Sequence, residues 1–417
     1  MLFRFSLYGF LKNQRYFEPF LVLALLEKGL GFFEIGLLIA FRELTVNLWE
    51  IPSGAVADVW GRRRSMILSF AAYIVSFLIL GWGEHLTLLF LAMFFFAIGD
   101  AFRTGTHKAM IFQWLRLEGR TEERTRVYGF TRSWSKLGSA ISVLLAALFV
   151  LLSESYVSVF YLATVPYALS IVNFLGYPRE LEGSSERPRT PRQVWLLLRH
   201  AVARAWSRKA LRGLMLESMG FEGIFHAVKD YLQPMIQALV LASWAAALTS
   251  SLSEVQETAL LIGPIYFVIY VLAAVSSRQA HRVARAAGSE NRAAGLIWGG
   301  TLGLFALITA AAWTEVHALL VATFGLLHVL QNLWRPILIT RIDARGDQSQ
   351  GATLLSIESQ SRRLVTMITA PALGFVVDLV AKRGPGGPFW PVGLLGLIVS
   401  GVFVWRGRRA VEGRSIE

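Results

Sequence analysis

Gly54-Ala-Val-Ala-Asp58-Val-Trp-Gly61-Arg62-Arg63-Arg64 is the stretch that decides how this chain folds. It lies between two apolar runs, 32–57 and 65–83, each of a length to cross a bilayer core, which takes about 20 residues. Its residue types suit a tight turn at a membrane surface. Gly61 tolerates backbone angles closed to other residues, and Gly54 permits a neighbouring helix to approach closely. Asp58 stands at the end of the first run, where its charge can face a neighbouring helix N-terminus and the arginines. The three arginines are the kind of cluster that stays on the cytoplasmic side during insertion.

The rest of the chain repeats this pattern. Of 417 residues, 54% are hydrophobic and 17% charged, too few charges for a soluble protein to clothe itself. Lipid is the solvent such a chain calls for, and helices with internally satisfied backbones are the elements that span it. The spacing predicts an all-α membrane protein with 12 transmembrane helices near 5–27, 32–57, 65–83, 87–113, 126–151, 156–177, 210–234, 257–276, 293–313, 317–340, 352–379 and 388–405. Residues 179–208, rich in Pro, Gly, Ser and charge, read as a linker that turns amphipathic near Val194–Trp206. They divide an N-terminal six-helix bundle, 1–178, from a C-terminal one, 209–417. Met235 to Gln256 resists the scheme: it extends span seven, forms a hairpin or lies at the interface.

Charge placement supports twelve crossings. With a cytoplasmic N-terminus, the inside loops take Arg62–Arg64, Arg116–Arg126, the linker arginines, Arg278–Arg292, Arg341, Arg345 and the Arg406–Arg414 tail. The outside loops hold little beyond Lys28, Lys382 and Arg383. The expected location is therefore the cell inner membrane, multi-pass, with both termini cytoplasmic. The same bias accounts for the net charge of +13 without nucleic acid as a partner. Cysteine is absent, which excludes disulfides, thiol catalysis and cysteine metal sites. Met1 to Phe10 has no small-residue cleavage site and reads as the start of the first span. A phosphate-binding G-x-x-x-x-G-K-[ST] loop is missing, which disfavours a primary pump.

The opening stretch resembles the signature loop of the major facilitator superfamily, G-x-x-x-D-[RK]-x-G-[RK]-[RK], with Val59 departing at the second charged position. Ser276-Ser-Arg278-Gln-Ala-His281-Arg282 is a weaker echo at the place where the second half would repeat that loop. Gly99–Ala109 and Tyr128–Gly138 are also similar to the superfamily's fourth and fifth spans. The fifth lacks the G-x-x-x-G-P-x-x-G-G pattern of drug–proton antiporters, and Phe94–Phe96 stand where the usual span-four arginine belongs, so multidrug export is not expected. The resemblance implies two six-helix bundles around a central cavity lined by spans one, four, seven and ten. It also implies transport by alternating access, a monomer, and a conformational role for Gly54, Asp58, Gly61, Arg62 and Arg63.

Helical spacing points to the same four spans. Ionisable groups at membrane depth usually face a bundle interior or a watery cavity. Span one carries Gln14, Arg15 and Glu18 on one face; span four carries Asp100, Arg103, Thr104 and His107. Span seven carries Glu222, His226, Lys229 and Gln233, and span ten His328, Gln331, Asn332 and Arg335. Asn47, Arg42 and Glu43 lie at mid-depth in span two. Glu18, Glu43 and Asp100 are the candidate proton carriers, since a carboxylate in a cavity of limited water is readily tuned by nearby arginines. Cations outnumber anions along these stripes, which leans toward an anionic or zwitterionic small-molecule substrate. No metal-ligand spacing and no cofactor motif is found. The expected function is secondary active transport of a small organic solute, coupled to protons. Two other classes stand against it: a transporter-like sensor or scaffold, and a membrane-embedded enzyme.

Overall fold

The computed structural model describes residues 1–103, 106–182, 206–242, 251–345 and 351–412. All regular structure among them is helical, and the chain divides into two compact units. The first comprises 1–28 and 41–197, the second 29–40 and 198–417.

Unit one contains α1 (Leu2–Leu11), α2 (Leu21–Glu27), most of α3 (Phe32–Trp60), α4 (Arg62–Trp82), α5 (Leu86–Arg103), α6 (Thr106–Leu117), α7 (Arg124–Ser153) and α8 (Ser158–Leu175). Helix α4 packs against α5 and α8, and α1 against α7. The core is aromatic: Tyr8, Phe70, Tyr73, Phe77, Phe160 and Phe174 are fully buried. Glycine brings α1 and α7 together, for a Cβ on Gly138 would stand 2.6 Å from the Phe10 carbonyl oxygen. Glu27 and Lys28 serve two helix ends of opposite polarity. Glu27 accepts from Ser155 Oγ and from the Tyr156 and Val157 N–H groups ahead of α8, while Lys28 Nζ donates to the Gly81 and Gly83 carbonyls at the end of α4.

Unit two contains α9 (Lys209–Ser218), α10 (Ile224–Val228), α11 (Leu232–Ala242), α12 (Glu254–Ala286), α13 (Glu290–Trp313), α14 (His317–Asp343), α15 (Gly351–Arg383) and α16 (Trp390–Glu412). The start of α3 groups with it. Asp378 of α15 accepts from the Phe32 and Phe33 N–H groups, and Phe32 stacks on Tyr231. One helix thus has its first turns in one unit and its remainder in the other.

Nine helices among the described residues are long and apolar enough to cross a membrane. Their outward faces carry large exposed apolar side chains, including Leu152, Val172, Leu296, Ile368 and Ile398, a surface suited to lipid and not to water. The three remaining helical stretches are the polar or interrupted ones: 2–27, 32–60 and 209–242.

Two of the expected continuous spans are broken. Residues 12–20 leave the helix between α1 and α2, so Gln14, Arg15 and Glu18 do not share a helical face. Asn13 explains the break. Its side-chain Nδ2 takes the Gly9 carbonyl at 2.8 Å, the acceptor its own N–H would use in a helix, and that N–H turns to Phe10 instead. Span seven changes register twice, through a π-helical turn at Met219–Gly223 and a 3-10 turn at Lys229–Tyr231. Pro234 cannot donate to the Asp230 carbonyl, which tightens the preceding turn. Thr366 Oγ1 donates to the Gly223 carbonyl at 3.1 Å, holding the π turn open from α15.

Met235–Ala242 extends span seven as α11, and Ser253 caps α12 with a reciprocal bond to Gln256. Residues 243–250 lie outside the described residues, as do 183–205, which hold most of the expected linker. The echo at Ser276–Arg282 is not a loop. It lies inside α12, and the chain turns later, at Gly288, where φ is +80°.

Candidate functional site

In unit one the polar side chains gather where α1 gives way to α2. Gln14 is buried and its Nε2 donates to the Gly138 carbonyl at 3.1 Å. Arg15 pairs with Glu18 at 3.5 Å, both partly exposed. On α5, Asp100 accepts from Arg103 at 2.9 Å and from the Tyr73 hydroxyl. The Arg103 guanidinium also lies 5.6 Å from the centre of the Tyr73 ring. His107 packs 4.2 Å from the Tyr8 ring with Nε2 3.5 Å from the Tyr177 hydroxyl, a histidine held among aromatics. Arg42 and Glu43 pair at 2.7 Å on α3, where Asn47 is half-buried. Lys12 stands within electrostatic reach of Arg15, Arg103 and Arg132. Thr104 lies outside the described residues.

Unit two holds a more deeply buried cluster. Glu222, on the π turn, has no solvent exposure; Gln331 Nε2 of α14 donates to both its oxygens at 3.1 and 3.2 Å. Arg362 of α15 stands 3.7 Å and His226 3.9 Å from Glu222 Oε2. Arg362 Nη1 donates to His226 Nε2 at 2.8 Å, and Nη2 to Ser359 Oγ at 3.3 Å. Beside them Glu358, equally buried, receives both Nη groups of Arg335 and the Ser218 hydroxyl. Lys229 pairs with Asp230 at 2.8 Å, and Asn332 donates to the His328 carbonyl one turn back along α14.

Glu358 and Arg362 were not anticipated. They lie near the start of α15, in a span outside the four named as cavity-lining, and their partners are Ser218, Glu222, His226 and Arg335, distant in sequence. The signal was present, since Glu358 and Arg362 are four apart inside the expected span 352–379. Arg341 is a second omission: it grips Glu217 at 2.6 and 3.0 Å and donates from Nε to Asn291.

The signature loop is built largely as its residues require. Gly61 takes φ +96° and starts α4. The Arg62 N–H donates to the Glu182 carbonyl, its Nη1 to Gln113 Oε1 at 2.9 Å, and Arg63 Nη1 to the Tyr177 carbonyl at 3.0 Å. The close packing expected at Gly54 is not found, because a Cβ there meets no described atom within 4 Å. Asp58 closes the last turns of α3; its side chain lies outside the described residues. No group of three metal-ligating side chains occurs among the described residues.

The family model described as Major Facilitator Superfamily matches residues 10–356. The chain belongs to the major facilitator superfamily. It is a multi-pass membrane transporter of that family, not an enzyme. It is 31% identical over 90 residues to the uncharacterized MFS-type transporter YxaM of Bacillus subtilis (strain 168), an alignment spanning 22% of this chain and 23% of that protein. Its fold is similar to the crystal structure of a mutant of the nucleoside transporter NupG, with TM-score 0.79, 12% identity and coverage of 98% of this chain and 99% of that one. It is also similar to the D-xylose-proton symporter, with TM-score 0.63, 12% identity and coverage of 97% and 96%. A POT family transporter in complex with a thioalcohol-conjugated peptide gives TM-score 0.61, 13% identity and coverage of 98% and 96%.

Proposed function

We propose that this major facilitator is a secondary active transporter that moves a small anionic or zwitterionic organic solute by alternating access, coupled to protons. The observation that carries the reading is the burial of Glu222 and Glu358 beside Arg335 and Arg362 in helices whose outer faces are apolar. Buried charges destabilise a spanning helix and are characteristic of solute and ion pathways. In unit one, Lys12, Arg15, Arg103 and Arg132 against Glu18 and Asp100 favour an anion over a cation. The fold neighbours are a nucleoside transporter, a D-xylose-proton symporter and a POT family transporter holding a peptide conjugate, a spread from which no solute follows. The solute must be read from the site.

Glu18, Glu43 and Asp100 are the proposed proton carriers, each beside an arginine that can release it as the pathway opens. Gln14, Asn47, Thr104, His107, Glu222, His226, Lys229, Gln331, Asn332 and Arg335 are proposed to contact solute or shape its route, and Gly54, Asp58, Gly61, Arg62 and Arg63 to bias the conformational equilibrium. We read twelve crossings, the nine apolar helices plus 2–27, 32–60 and 209–242, in the cell inner membrane with both termini cytoplasmic, and a monomer as the working unit. A thermal-shift screen of the purified protein against metabolite pools, followed by flux into proteoliposomes, tests this. Accumulation of a hit under a pH gradient is expected, and amide replacement of a carrier should abolish proton-driven flux while sparing exchange. Unchanged pH dependence in Glu18→Gln, Glu43→Gln and Asp100→Asn would rule out that assignment.

A further inference from the structure

We infer that Arg362 and His226 form a proton-gated anion site: one proton on His226 frees the Arg362 guanidinium to bind one carboxylate or phosphate oxyanion. The inference rests on the reading above of an anionic solute and names the groups that couple it to the proton.

A guanidinium is always protonated and only donates. The 2.8 Å contact from Arg362 Nη1 therefore makes His226 Nε2 the acceptor, and the imidazole is neutral with its proton on Nδ1. Adding a proton converts Nε2 to a donor and sets two cations face to face at that distance. The pair must then separate. The imidazolium has a partner at hand in Glu222 Oε2, 3.9 Å away on the same helical path. The guanidinium faces the same oxygen at 3.7 Å, so one carboxylate would then serve two cations. Glu222 is already bonded by Gln331, and Glu358 holds Arg335 through both oxygens.

Arg362 is also under-used as it stands. Its Nη groups make two bonds, to His226 and Ser359, and its buried Nε has no hydrogen-bond partner among the described residues. A fork of spare N–H donors matches a planar or tetrahedral oxyanion, and Arg362 and His226 are both partly exposed and so within reach of one. Charge counting gives the stoichiometry. Glu222 and Glu358 balance Arg335 and Arg362, and Lys229 balances Asp230. His328 donates from Nδ1 to the Phe324 carbonyl, so hydrogen bonding does not require it to be charged. A proton on His226 leaves one positive charge in excess among these groups, and one monoanion cancels it.

The test follows the ring nitrogens of His226 by 15N NMR of the full-length protein, the signal assigned by its loss in His226→Asn. Without ligand, the wild-type ring should be neutral with the proton on Nδ1. Acetate, lactate and inorganic phosphate are the probes, and at least one should raise the proton affinity of His226 by about tenfold. Arg362→Gln should raise it without any probe and abolish the anion response. Arg362→Lys, which keeps the charge but loses the fork, should retain a weaker response and covers the case of a misfolded Gln variant. A ligand-free proton on Nε2, indifference to all three probes, or an undiminished response in both arginine variants would overturn the inference. Flux of the same anions into proteoliposomes separates this from the transport reading. Flux with an unresponsive His226 sinks the switch alone; a responsive His226 with no flux of the bound anion sinks the transport reading alone.

Discussion

Arg335 holds Glu358 through two parallel hydrogen bonds, Nη1 to Oε1 at 2.7 Å and Nη2 to Oε2 at 2.9 Å, and Glu358 is fully withdrawn from solvent. Such a pair offsets its desolvation penalty only while both partners are present. Arg335→Leu, which leaves a buried carboxylate, should destabilise the protein by about 3–5 kcal/mol, and Glu358→Leu similarly. The double replacement should be less damaging than either alone. Thermal unfolding in detergent checks the order, and additive losses would show that the pair is not a unit.

Gly138 and Gly129 lie on the same helix, α7, and should respond oppositely to alanine. A Cβ at Gly138 meets the Phe10 carbonyl oxygen at 2.6 Å, whereas one at Gly129 meets nothing within 4 Å. Gly138→Ala should cost about 1–3 kcal/mol by forcing α1 away. Gly129→Ala should be neutral or stabilise by up to about 1 kcal/mol, through helix propensity alone. The two melting temperatures, measured side by side, decide it.

Asp378 acts on the first turn of α3 as a cap from another helix, accepting from Phe32 N–H at 3.0 Å and Phe33 N–H at 2.8 Å. Asp378→Ala should cost about 0.5–2 kcal/mol, the usual loss for a removed N-cap acceptor. Hydrogen exchange should speed up at the start of α3 and stay unchanged at the α8 end served by Glu27. Uniform acceleration across both ends would argue for global loosening instead.

Gly61 is the residue of the signature loop with a positive φ, +96°. Gly61→Ala should lose about 1–3 kcal/mol, the penalty for placing a Cβ at φ +96° and ψ 140°, a region open essentially to glycine alone. Glu182 also approaches this site, its Oε2 3.2 Å from where the Cβ would stand. Glu182→Ala in the same background should not recover the loss if backbone strain is its source; full recovery would assign it to the clash.

The membrane class, nine of the expected spans, the signature turn at Gly61 and the family were legible in the residues themselves. Hydropathy, glycine conformation and loop arginines are local properties, carried by a few neighbouring positions. The pairs Arg15–Glu18 and Asp100–Arg103 were legible for the same reason, each being three residues apart. The interruptions of spans one and seven, and the membership of the unit-two cluster, came instead from packing in three dimensions. Asn13 ends α1 by claiming the Gly9 carbonyl, and Thr366 reaches from α15 to the Gly223 carbonyl, choices that helical periodicity does not encode. Glu358 meets Ser218 across 140 positions of chain. A buried charge selects its partners by distance and desolvation in space, and no spacing along the chain carries that information.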